Sequence, residues 1–172
     1  MEFSKLIETR ASTRKYLDKM PTEEQLSYVI DAGLRAPSGR NLQAPIIVAV
    51  TNKEIRDRLS AANASIFGVD TDPFYSAPAV LVVLAKKTAR TYVYDGSLVL
   101  GQMMLAAHDI GLGSCWIHRA KEVFNMPEWI EWLKSIGITE EVEGVGNLIL
   151  GYPDENIPSP KAVMDGRVFF VK

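Results

Sequence analysis

The chain has 172 residues, 47% hydrophobic and 23% charged, which fits a single domain spanning 1–172 with a core of its own. Its formal charge of −2 supplies no overall field for nucleic acid or an anionic membrane. No apolar run approaches the roughly 18 residues of a membrane span, the opening MEFSKLIETR lacks the apolar segment of a signal peptide, and the lone Cys115 excludes an intrachain disulfide, so the expectation is a soluble, cytoplasmic protein.

Residues 3–9 predict a short helix with Phe3, Leu6 and Ile7 on one face. The basic stretch RASTRKY, 10–16, follows. Thr22 is a candidate N-cap for a helix whose first turn holds Glu23 and Glu24. Leu26, Val29, Ile30 and Leu34 give that helix its apolar stripe, and Pro37 marks its end. PIIVAV, 45–50, reads as a buried strand, followed by a helix over about 53–61 and an irregular stretch. AVLVVLA, 79–85, is a second buried strand. Residues 92–110 predict a long helix, apolar on most faces, of the kind found at the centre of a fold or at an interface. GLGSCWI turns into a third strand, 121–136 hold one or two short helices, and VGNLILGYP, 145–153, is a fourth strand. RVFFVK reads as a fifth. This order implies an α+β or α/β layered fold with a helix-covered sheet. The proline-rich residues 153–166 form an arm, and its strand can fold back or pair with a neighbouring chain.

Several chemistries are excluded or weak. There is no GxxxxGK[ST] loop, no GxGxxG fingerprint and no GxSxG elbow. The histidines, His108 and His118, and Cys115 do not complete a zinc site. Cys115 and His118 lie three apart, which puts them on opposite sides of a strand.

Three stretches remain. In RASTRKY, Arg10, Ser12 and Arg14 alternate, so an extended segment places two guanidinium groups and a hydroxyl on one face. Guanidinium forks suit a phosphate monoester, although a solvated basic loop has the same composition. In RAPSGRNLQAP, 35–45, small residues permit close approach of a flat ligand, and Asn41 and Gln43 each donate and accept. A plain helix-to-strand turn also fits. GLGSCWIHR, 111–119, is an apolar strand leading to a basic pair, and a core strand with a buried Trp116 is the simpler reading.

Taken together and in order, RASTRKY, APSGRNLQAP, GLGSCWI after a long apolar helix, NLILGYP and a Pro/Lys arm ending in a strand resemble the nitroreductase family of FMN-dependent oxidoreductases, especially its short members. The resemblance implies a helix-covered mixed α+β sheet in an intertwined homodimer, with the arm and strand of 153–172 exchanged between subunits. FMN would lie at the interface. Arg10 and Ser12 would hold its phosphate, with Lys161 completing that site, and Arg14 would reach the ribityl chain and pyrimidine end. Pro37, Ser38, Gly39 and Asn41 would line the ring from the other subunit. The backbone at Trp116, Ile117 and His118 would run along the ring near N5. The implied activity is ping-pong transfer of hydride from NADH or NADPH to a small acceptor such as a nitroaromatic or a quinone, with no side-chain nucleophile and no metal. A flavin carrier or redox sensor and a dehalogenase-like relative are the alternatives. Two positions depart from the family pattern: Ala44-Pro45-Ile46 lacks its frequent tryptophan, and Val163 stands where a second arm cation is common.

Overall fold

The computed structural model describes residues 2–154 and 162–172. Helix α1 spans Phe3–Thr9 and α2 spans Glu23–Leu34. A reciprocal box starts α2: the Thr22 hydroxyl accepts from the Gln25 N–H at 3.2 Å, and the Gln25 side chain accepts from the Thr22 N–H at 3.0 Å. A single helical turn at Gly39–Asn41 leads into β1, Pro45–Val50. Helix α3 spans Lys53–Phe67, six residues beyond the expected end. Its alanine-rich second half propagates the helix, and Gly68, at φ 76°, stops it in the left-handed conformation. Strand β2 (Ala79–Lys86), α4 (Tyr92–Asp109), β3 (Gly113–Ile117), α5 (Ala120–Phe124), α6 (Pro127–Ser135) and β4 (Val142–Gly151) complete the order.

The four strands form one sheet in the order β1-β2-β4-β3. Every pairing among these four strands is antiparallel. The one parallel element is a single bridge between Ser12 and Ser114. Both faces are covered. Val80, Val82, Leu84 and Ile149 face α3, α5 and α6, whereas Leu81, Val83, Leu148 and Leu150 face α2 and α4. Covering both faces is what makes β2 a continuous apolar run rather than an alternating one.

Between Val83 and Leu84 the register with β4 shifts, so that Val83 pairs with Gly146 and Leu84 with Gly144. Val145 is the extra residue of this bulge, and it packs where Gly96 of α4 leaves room. A Cβ at Gly144 would stand 2.3 Å from the Ala120 carbonyl, so this glycine lets the start of α5 sit against the sheet.

A buried arginine fixes the loop after α3. Arg56 donates from Nε to the Ala77 carbonyl at 3.0 Å and pairs with Asp57 and Asp72. Asp72 also accepts from Ser60 and from the N–H groups of Phe74 and Ser76. Burial pushes the Asp72 carboxyl up, but the bonds from Ser60, Arg56 and the two N–H groups outweigh it and hold it below its ordinary value.

The expected fifth strand is absent among the described residues: 167–172 have no strand pairing within the chain. Phe169 and Phe170 are each 86% exposed and Val171 is 99% exposed. One chain offers this tail no sheet edge that it uses.

Two outcomes follow from this packing. Gly144→Ala loses about 1–3 kcal/mol of stability by chemical denaturation, because backbone and not a flexible side chain lies in the way. Asp72 has a depressed folded pKa, so its stabilisation is present above the unfolded carboxylate value, about 4, and is lost as pH falls through and below it. Asp72→Asn is therefore less stable at neutral pH and loses less on acidification than the parent, as pH-dependent denaturation curves measure.

Candidate functional site

The basic stretch lies in extended form beside the edge strand β3. The Thr13 N–H donates to the Ser114 carbonyl at 3.0 Å, and Ser12 bridges Ser114. Thr13 turns inward, is buried, and fills the space that Gly113 leaves open. Tyr16 turns the same way and donates to the Thr13 carbonyl at 2.8 Å. Alternation then sends Ser12 and Arg14 outward, with Ser12 half-buried and Arg14 exposed. Lys15 pairs with Asp154 at 3.3 Å and is spent on the surface.

Arg10 is half-buried, and its Nη1 is buried with no hydrogen-bond partner among the described residues. A guanidinium nitrogen left in that state is unfavourable unless an anion meets it. Beside it stands His108, near the end of α4. Thr9 donates its hydroxyl proton to the Lys5 carbonyl at 2.6 Å and meets His108 Nε2 at 2.8 Å, so the imidazole proton is assigned to Nε2. Burial, and then the Arg10 charge, push the His108 pKa down, with Asp109 opposing them.

The second stretch is a rigid loop at the other end of α4. Arg40, Asn41 and Gln43 all have positive φ, at 54°, 54° and 47°. Asp95, buried on α4, accepts from the Gly39 N–H at 3.0 Å and from the Thr91 hydroxyl at 3.0 Å. Gly39 is required, since a Cβ there would meet the Thr91 hydroxyl at 2.3 Å. Ser38 accepts from the Gln43 N–H at 3.0 Å, and Gln43 donates to Asn41 at 3.2 Å. Pro37 and Asn41 are left exposed and Ser38 half-buried.

The third stretch closes β3. Cys115 is buried against the α3 side, whereas Trp116 is partly exposed and its indole lies over Gly146 on the α4 side. Ile117 is half-buried and His118 exposed. Cys115 and His118 therefore form no pair on one face. Lys161 lies outside the described residues.

From Asp95 to His108 is thirteen residues along one helix, or about 20 Å. The Arg10–Ser12 group and the Gly39 loop thus stand at opposite ends of α4 within one chain. A cavity of about 510 Å³ between α3 and the turn after it is lined by Arg56, Ser60 and Asp72, and by neither group. Of the supporting residues, Asp95 went unnoticed in the sequence and His108 was weighed only as a zinc ligand. Their one signal was a charged or titratable residue in a helix otherwise apolar, which pattern alone gives no role. Among the described residues no cluster of His, Cys, Asp or Glu is arranged to hold a metal, and no helix is long and apolar enough to cross a membrane.

The sequence profile of the Nitroreductase family matches residues 7–70. An Archaeoglobus fulgidus protein proposed to be an NADH dehydrogenase/NAD(P)H nitroreductase is 30% identical over 160 residues, covering 90% of this chain and 87% of its own. An FMN reductase [NAD(P)H] of Bacillus subtilis is 25% identical, covering 93% and 70% respectively. The crystal structure of a nitroreductase with bound FMN from Bacteroides fragilis superposes with a TM-score of 0.88 at 27% identity, covering all of both chains. Motif order, fold and relatives agree: the chain belongs to the nitroreductase family.

Proposed function

We propose that this chain is an FMN-dependent NAD(P)H oxidoreductase that passes hydride by a ping-pong cycle to a small acceptor such as a nitroaromatic or a quinone. The observation that carries the reading is the Nη1 of Arg10, buried and without a hydrogen-bond partner among the described residues, next to the half-buried Ser12 at the edge of β3. That seat matches a phosphate monoester in charge and donor type. Relatives that include an FMN reductase and an FMN-bound nitroreductase support flavin as the group attached to that phosphate.

FMN, when bound, supplies the hydride chemistry at its N5. Arg10 and Ser12 hold its phosphate, with Lys161 assigned to the same seat. Arg14, exposed on the same side as Ser12, provides positive charge where the reduced ring gathers negative charge. Pro37, Ser38, Gly39 and Asn41 line the ring from the other subunit. The backbone of Trp116, Ile117 and His118 lies along the ring.

A homodimer is part of this reading. Along α4, Val93, Tyr94 and Leu98 are exposed, as are Phe3 and Ile7 of α1. Val168, Phe169, Phe170 and Val171 form an apolar tail with no cover in one chain. Together they give a second copy a large apolar surface, and the tail can exchange onto its sheet.

The direct test is the visible spectrum of purified protein before and after NADH or NADPH under nitrogen. A yellow protein bleached by either, and recoloured by a quinone, is expected. A colourless protein contradicts the reading, and a yellow one that neither nucleotide bleaches makes it a carrier. Arg10→Ala should weaken FMN binding by about 10- to 100-fold, the value of one or two charge-assisted hydrogen bonds of about 1.5–3 kcal/mol. Fluorescence titration of the apoprotein measures it. Arg14→Ala should lower the flavin potential and slow reduction more than it weakens binding; unchanged potential and rate would remove Arg14 from that role.

A further inference from the structure

The inner stripe of α3 carries Arg56, Leu59, Ser60 and Asn63. Asn63 is 2% exposed, and a buried amide on such a face is unfavourable unless bonded. Its Nδ2 donates to the backbone carbonyl of His118 at 2.7 Å. The next residue, Arg119, has φ 76° and ψ 7°, a left-handed conformation unusual for a side chain of its size. Neighbouring contacts hold it there. Its carbonyl accepts from the Val123 N–H at 3.0 Å, its guanidinium pairs with Glu122 at 3.2 Å, and Ala120 rests against Gly144.

Among the described residues no peptide bond is cis, so the carbonyl of His118 and the N–H of Arg119 point in opposite directions across one rigid plane. The carbonyl is turned to α3. The N–H therefore faces away from α3, toward the side of β3 that carries Trp116. Among the described residues no group accepts from it.

We propose that Asn63 is a positioning residue: it fixes the His118–Arg119 peptide so that the Arg119 N–H is presented to N5 of the flavin. The proposal rests on the FMN reading and deepens it. Oxidised N5 offers a lone pair that this N–H meets, whereas reduced N5 carries a hydrogen of its own. The presented N–H therefore favours oxidised over reduced FMN. Without Asn63 the peptide is free to turn, and that preference falls.

The experiment measures Kd for oxidised and for reduced FMN in the parent, Asn63→Leu and Asn63→Asp, together with the two-electron potential. Asn63→Leu should weaken oxidised FMN about tenfold more than reduced FMN, which raises the potential by about 30 mV. Asn63→Asp, which faces the carbonyl with an acceptor, should shift it in the same direction. Equal loss of affinity for both redox states would make Asn63 a packing residue and overturn the assignment. If the variants do not fold, amide exchange in the parent decides. The Arg119 N–H should be slowed by oxidised FMN and released on reduction; no response to FMN overturns the proposal. A parent protein that takes up no FMN overturns the flavin reading and this assignment with it, whereas FMN bound with an unchanged affinity ratio in both variants overturns the assignment alone.

Discussion

The arrangement of the site depends on the length of one helix. Helix α4 carries Asp95 near its start and His108 near its end, and a rigid helix keeps them about 20 Å apart. Asp95 holds the Gly39 loop and His108 stands beside Arg10, so each half of the proposed site is tied to a fixed point on the same rod. On the proposed reading, the two halves that meet one flavin come from different chains.

Around that rod the fold serves mainly to hold extended or strained backbone in place. The stretch 10–16 has no helix or strand of its own, and it is held by the bond from Thr13 to Ser114 and by the inward Thr13 and Tyr16 side chains. The 38–43 loop departs from ordinary conformation at three residues and is closed by hydrogen bonds from Gln43 and to Asp95. The end of β3 is set by Asn63 and by the close approach that Gly144 allows. In each case an interior group fixes backbone that the proposed reading assigns to a flavin, as a preorganised site requires.

Much of this was legible in the sequence because it is local. Thr22, Glu23 and Glu24 announced the start of α2, and PIIVAV announced β1 to the residue. Alternation in RASTRKY set Ser12 and Arg14 opposite the inward Thr13, but it does not run on: Lys15, expected with Thr13, is exposed, and Tyr16 is inward instead. What was not legible depends on contacts distant in the chain. Asp95 meets Gly39 across 56 positions and Asn63 meets His118 across 55, and neither spacing leaves a local pattern. The bulge at Val145 depends on Gly96, and the antiparallel order of all four strands follows from tertiary pairing. RVFFVK has the composition of a strand, but a strand needs an edge to join, and its own chain does not pair with it.

The claim that one chain holds only half of each site is tested most directly by native mass spectrometry of the protein loaded with FMN, across a dilution series. The account predicts flavin on species of two chains, up to two FMN per pair, and its loss wherever single chains appear. A single chain that retains FMN as firmly as the pair would contradict it.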